Sequence, residues 1–384
     1  MSLSCDLILV SWNKLEYTRA CIESVMTHTT VPYRLIVVDN GSAPETIDYL
    51  HGLKRQHPDR ILLVLHDEDL GWVKGANDGL RRSEAPYACL LNNDLLVAPG
   101  WLERMIAVAE ADPLIGLVNP TYKHRGETPE AFLHRAQQSA VNGTSYIEVN
   151  ECNGACLLVR RRLREVIGEL DESYGSGGMD DSDYSRRAEV AGFRCARARH
   201  AYVFHWENVS LNTVPNYWLT IRPQNEALFR QRWGERTQLG VVLAEDEEEV
   251  ALRILRRCLA LARLGVRVHV FVLVPASSGL TESSGRWDLG LVEHNNLKWT
   301  VRTCVASSSL SQWWLLVEVS GTALARRRKN ASHRIQALIA PSDCVRTTLH
   351  RLEWLHRTPT YASVEECPVV QRQWEWARAI DATL

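Results

Sequence analysis

Three carboxylates fall within four residues at Asp180, Asp181 and Asp183, behind Gly177-Gly178-Met179 and ahead of Tyr184-Ser185-Arg186-Arg187. The glycines allow a mobile loop, and like charges this close need a cation, a hydrogen-bond donor or a proton. They either do acid–base work or cap a helix over 182–191. A second group, Asn92-Asn93-Asp94, ends an apolar run and precedes the Pro99-Gly100 turn. A divalent cation on a diphosphate needs only one or two protein oxygens, because phosphate and water complete its octahedron, so one carboxylate, Asp94, suffices. The same tripeptide also reads as a plain turn or helix cap. His205, in Val203-Phe204-His205-Trp206, closes another apolar run and is either a ligand or a satisfied polar residue.

Groups of this kind act only if regular elements hold them. Compact apolar runs at 7–11, 35–39, 61–66 and 87–91 predict strands. Between them, 18–26 and 45–53 carry apolar residues at three- and four-residue spacing, so each predicts a helix with one face on a sheet. The alternation predicts an α/β fold with a mostly parallel sheet flanked by helices. Ligands of such sheets sit beyond the carboxyl ends of the strands. There the chain reads Ser11-Trp12-Asn13, Asp39-Asn40-Gly41-Ser42, His66-Asp67-Glu68 and Asn92-Asn93-Asp94, which together would form one polar rim. From Gln238 the pattern restarts with a strand at 239–243, a helix at 245–264 and a strand at 266–274, a second, smaller α/β unit. The acidic run Glu245-Asp246-Glu247-Glu248-Glu249 opens that helix, where negative charge suits the macrodipole. Residues 277–285 read as a loop, and no internal repeat is present.

At about 150 residues per domain, the 384 residues predict two domains, divided here as 1–235 and 236–384. Apolar residues at 45% and charged residues at 23% describe a globular chain with a packed core. A net charge of −2, from 44 basic and 46 acidic side chains, gives no global field to draw in nucleic acid or an acidic membrane. The basic runs Arg160-Arg161-Arg162 and Arg326-Arg327-Arg328-Lys329 read as solvated surface. Ten cysteines without CxxC spacing, the nearest pair being Cys152 and Cys156, fit reduced thiols in a cytoplasmic protein. The first six residues offer no signal-peptide pattern, and apolar runs such as 268–276 are too short to span a bilayer. In that setting the sequons at Asn142, Asn208 and Asn330 are chance matches.

The stretch from Leu7 to about Trp206 resembles glycosyltransferase family 2. The matching residues are Val10-Ser11-Trp12-Asn13, Val37-Val38-Asp39-Asn40-Gly41-Ser42, the 71–79 segment, Leu91-Asn92-Asn93-Asp94, Asn153-Gly154-Ala155 and Gly168-Glu169-Leu170-Asp171-Glu172. The 179–187 run followed by His205 is similar to bacterial rhamnosyltransferases and galactofuranosyltransferases. The resemblance implies a GT-A fold and an inverting glycosyltransferase that takes a UDP- or dTDP-sugar. It implies Asp181 as general base, Asp94 and His205 as ligands of manganese or magnesium, and Asp39 facing the nucleotide base. Ser11, Asn13, Gly71, Asn77, Asn92 and Asn93 would line the donor pocket, with Asp180 and Asp183 orienting the acceptor or tuning the base. Two departures stand out: Asn92 occupies the first position of the family's paired-aspartate metal motif, and Asp180 replaces a glutamate one methylene longer.

Other readings are a nucleotidyltransferase, a dinucleotide dehydrogenase and a catalytically silent sugar-nucleotide or glycan-binding module. No glycine-rich phosphate loop follows the first strand, and no GxGxxG follows an early strand, against the first two. Joint retention of Asp94, Asp181 and His205 stands against the third. The second unit, through 334–342, faintly resembles one half of a GT-B glycosyltransferase and reads as accessory. Its tryptophans, among them Trp313, Trp314, Trp354, Trp374 and Trp376, read as core or interface packing before sugar stacking. The acceptor stays open between a glycan, a lipid-linked glycan and a protein, and so do the oligomeric state and peripheral attachment to the inner face of a membrane.

Overall fold

The computed structural model describes residues 4–139, 144–209, 211–234, 237–243, 248–275, 293–304, 337–339, 360–361, 366–368 and 371. The expected loop at 277–285, the basic run at 326–329, Asn142, Asn330, the five tryptophans above and most of 334–342 lie outside these residues. The chain divides into two compact units, Met1–Gly234 and Glu235–Leu384.

The first unit opens with β1 (Cys5–Ser11), α1 (Leu15–His28), β2 (Tyr33–Asn40), α2 (Pro44–Gln56), β3 (Ile61–His66), α3 (Trp72–Arg81) and β4 (Tyr87–Asn92). These four strands pair in the order β3-β2-β1-β4, all parallel. Alternate side chains enter opposite faces of the sheet. Leu7, Leu9, Leu35 and Val37 pack in one buried cluster with Trp101 and Met105, while Ile8, Val10, Ile36 and Val38 pack in another with Val73, Leu80 and Tyr184. Cover on both faces is why these strands read as continuous apolar runs.

The sheet then becomes mixed. It continues through β5 (Leu95–Val97), α4 (Trp101–Ala111), β6 (Ile115–Tyr122), α5 (Pro129–Gln138), β7 (Tyr146–Val149), β8 (Cys156–Arg160), α6 (Arg161–Ile167), α7 (Asp180–Val190) and β9 (Arg194–His205). Strand β8 runs antiparallel between β4 and β6, β9 is parallel to β6, and β5 and β7 pair antiparallel with β9. Strand alternation gave the parallel half; the antiparallel half pairs strands far apart in the chain, such as β4 with β8 and β5 with β9, which no run of apolar residues encodes. Arg160 and Arg161, expected on solvated surface, instead donate to the carbonyls of Ile115 and Ala85. The unit ends in a π-helical turn (Tyr217–Ile221) and α8 (Arg222–Trp233).

In the second unit, β10 (Gln238–Leu243), α9 (Glu248–Arg263), β11 (Arg267–Pro275), β12 (Leu297–Cys304), β13 (Ala337–Ile339) and β14 (Thr360–Tyr361) form a parallel sheet in the order β12-β11-β10-β13-β14. Glu248 and Glu249 do lie in the first turn of α9; Glu245 to Glu247 fall outside the described residues. Cys5, Cys21, Cys89, Cys152, Cys156, Cys195, Cys258 and Cys367 carry free, buried thiols. Among the described residues no helix is long and apolar enough to cross a membrane.

Candidate active site

Register brings the strand ends level: Ser11 lies opposite Asp39, Asn40 opposite His66, and Val10 opposite Asn92. Beyond them opens a cavity of about 450 Å³. Gly71, Asn92, Asn93, Asp94, Asp180, Asp181 and His205 line it, so four segments far apart in the chain meet there.

Asp94 and His205, 111 positions apart, are joined by strand pairing. Leu95 on β5 lies opposite His205 on β9, which sets the preceding residue, Asp94, against the histidine. Asp94 Oδ1 and His205 Nε2 are 3.1 Å apart, and both atoms are buried without a well-aligned hydrogen bond. Among the described residues no three His, Cys, Asp or Glu side chains converge. Two ligands about 2.1 Å from a cation and at right angles to each other lie about 3 Å apart, which this pair matches.

The carboxylates at 180 and 181 open α7, and a tight left-handed loop aims them. Gly177, Gly178 and Met179 all have positive φ (98°, 93° and 77°). A Cβ at Gly178 would sit 2.6 Å from the Tyr217 hydroxyl, so only glycine fits. The Gly178 N–H donates to Asp180 Oδ1 at 2.7 Å. Asp181 accepts from the Ser182 N–H on Oδ1 at 2.7 Å and from the Gly154 N–H on Oδ2 at 2.9 Å. The Ser182 hydroxyl also donates to Asp181 Oδ1 at 3.5 Å, so the free lone-pair direction of Asp181 is on Oδ2. Burial, then the charge of Asp181, pushes Asp180 up to about 7. Burial also raises Asp181, against the pull of the Gly154 and Ser182 N–H groups and the Arg222 guanidinium.

Five of the residues read as site residues have structural partners. Asp183 is fully buried and accepts from Arg187 Nε (2.9 Å), Arg232 Nη1 (2.8 Å) and Trp233 Nε1 (2.8 Å). It does not line the cavity and clasps α7 to the end of α8. Asn77 does not line it either: its amide donates to the Leu170 carbonyl and accepts from the Leu170 N–H, tying α3 to the chain beyond α6. Asp39 accepts from the Ser42 N–H and hydroxyl at 2.8 and 2.6 Å. Ser42 Oγ in turn accepts from the Asn13 N–H, and Asn13 Oδ1 accepts from the Ala43 N–H. Ser11 is fully buried, 3.5 Å from the Thr18 hydroxyl. Neither Ser11, Asn13 nor Asp39 lines the cavity.

Sequence reading missed Trp12, Trp72, Tyr217 and Arg222, which also line it. Arg222 is the one Arg or Lys among the described lining residues. It follows a π-helical turn, a device without a residue signature, so only the Arg-Pro step at the start of α8 marked the place. Asn40, read only as part of a motif, donates to the Gly71 carbonyl.

The described unit matches the model of a known family over residues 6–168. The chain resembles glycosyl transferase family 2. It is 26% identical to the succinoglycan biosynthesis protein ExoM of Rhizobium meliloti over 191 residues, 49% of this chain and 61% of that protein. It is 23% identical to the O-antigen biosynthesis protein RfbC of Myxococcus xanthus over 283 residues, 64% of this chain and 22% of that protein. It thus spans less than two thirds of the length of either relative. The structure of GalNAc-T7 with UDP, GalNAc and Mn2+ aligns at 13% identity with a TM-score of 0.49, covering 60% of this chain and 48% of that one. The family 2 match stops at residue 168, so α7, β9 and α8, with Asp180, Asp181 and His205, lie beyond it.

Proposed function

We propose that the chain is an inverting glycosyltransferase that moves a sugar from a UDP- or dTDP-sugar to an acceptor hydroxyl. One observation carries this reading: the Asp94–His205 pair and the Asp180–Asp181 pair line a single cavity at the strand ends of a family 2 unit. Asp94 and His205 would hold a manganese or magnesium ion, which when bound supplies Lewis acidity to the diphosphate. Arg222 adds a fixed positive charge to the same cavity.

Asp181, oriented by two backbone N–H groups, accepts the proton of the acceptor hydroxyl as that oxygen bonds to the anomeric carbon. The anomeric carbon–oxygen bond to the diphosphate breaks, and its electron pair leaves with the phosphate oxygen. A single displacement inverts the centre. Asp180, held by Gly178, keeps a second proton-binding site beside the base. Trp12 and Trp72 exclude water from one wall. Every lining residue falls between positions 10 and 222, which supports a complete donor site in 1–235 and an accessory role for 236–384.

The test is a hydrolysis screen of the full chain against UDP- and dTDP-sugars with manganese. Slow release of UDP or dTDP from one sugar, abolished by EDTA, is the expected result. Binding of a sugar nucleotide without hydrolysis or transfer to any glycan, lipid-linked or peptide hydroxyl would leave a binding module.

A further inference from the structure

The loop that aims Asp180 and Asp181 is held from outside by one later segment. The Gly177 carbonyl accepts from the Tyr217 hydroxyl at 3.3 Å and from Asn225 Nδ2 at 3.1 Å. The same Asn225 amide donates to the Tyr174 carbonyl at 3.0 Å. Asn225 and Tyr217 are 7% and 1% exposed, so these contacts are shielded from competing water. Two residues further along α7, Asp183 is gripped by Arg232 and Trp233 from the end of the same segment. Both ends of the 174–183 stretch are therefore pinned by residues 217–233.

We infer that Asn225 and Tyr217 are positioning residues for the candidate base, and this rests on the reading of the site given above. Neither touches the carboxylates through its own hydrogen bonds; they fix the Gly177 carbonyl. That fixes the left-handed Gly178, whose N–H aims Asp180 and whose place in the loop sets the start of α7. The tight approach of the Tyr217 hydroxyl to Gly178 leaves the loop one seat. A misplacement of about 1 Å at such a loop is enough to cost about 100-fold in turnover. The charged and titratable groups around the aspartate pair are Asp183 on the same helix, Tyr217 and Arg222 from the segment, and Asp69, Asp94, Glu151 and His205 elsewhere in the cavity lining.

The test uses the full chain with Tyr217→Phe, Asn225→Ala and Asn225→Gln. Turnover is read as hydrolysis of whichever UDP- or dTDP-sugar the wild type cleaves. Asn225→Ala is expected to lower kcat by about 10- to 100-fold with donor KM changed less than about threefold, and Tyr217→Phe to show a smaller loss of the same kind. The Gln variant, which keeps the amide donor, should recover part of the loss. A second readout needs no substrate: the carboxyl carbon titration of Asp180 in labelled protein, assigned with Asp180→Asn. It should shift as the loop loosens, because both the burial that raises it and the Gly178 N–H that lowers it change. Unchanged kcat and an unchanged titration in a folded Tyr217→Phe or Asn225→Ala protein would overturn the inference, as would kcat and donor affinity falling together. If the wild type cleaves no sugar nucleotide, the proposed function fails while the titration still decides the positioning role.

Discussion

Two sides of the same sheet end carry the same residue types and differ in what answers them. On the β1–β2 side, Ser11, Asn13, Asp39 and Ser42 close on one another and on backbone N–H groups. On the side built from the β4–β5 turn, the end of β9 and the start of α7, Asp94, His205, Asp180 and Asp181 keep acceptor capacity toward a cavity. Polar residues at strand ends are thus common to both; spare valence pointing into space separates a reacting wall from a bracing one.

The comparison is broken most sharply at Asp181. Asp181→Asn should lower transfer by about 100- to 10,000-fold while calorimetry finds the wild-type affinity for the sugar nucleotide, since the lost group acts on the acceptor. Parallel loss of affinity would move Asp181 to the donor. Next in size, EDTA or His205→Ala should reduce turnover roughly 100-fold, with manganese restoring the chelated wild type and not the variant. Full activity in chelator would mean that Arg222 alone answers the diphosphate.

Asp183→Ala tests the bracing wall inside α7. It leaves Arg187 and Arg232 facing a vacated buried site, and chemical denaturation should show a loss of about 3 kcal/mol, with turnover per folded molecule reduced far less than in Asp181→Asn. A variant as stable as wild type but inactive would return Asp183 to the chemistry.

A smaller effect is a shift in pH dependence. Burial holds the Asp180 and Asp181 carboxyls above the usual carboxylate range, so their ionised forms, and with them transfer, are present at high pH and lost as pH falls through the raised values. Asp180→Asn removes the adjacent charge and should carry the acid limb to lower pH. A limb that stays in place would mean that another group titrates. Smallest of all, Asp39→Asn should change nucleotide affinity by less than about threefold, because its oxygens are already taken by Ser42.

The sequence exposed the bracing and reacting walls unequally. Strands 7–11, 35–39, 61–66 and 87–91 were legible because burial on both faces leaves unbroken apolar runs, and their polar tails followed directly. Which tails face a cavity was not read, although Asp39 is closed by Ser42 three residues on, while Asp94 meets His205 only through tertiary pairing. The separation of Asp181 from Asp183 was available in principle: at about 100° per residue the two point roughly 200° apart on α7, so both could not serve one pocket. The pairing of Asp94 with His205 needed the register of β5 on β9, and the segment 217–233 offered no periodic signal to read.

The order of strands also governs how the protein is made. Strand β4 finds β1 behind it as soon as it leaves the ribosome, but its other edge waits for β8, which begins at Cys156. At about 5 to 20 residues per second, the 64 residues from Asn92 to Cys156 take roughly 3 to 13 s to synthesise. For that interval the apolar edge Tyr87–Asn92 lacks its second partner strand, an exposure that invites wrong pairing before any of the α7 carboxylates is made.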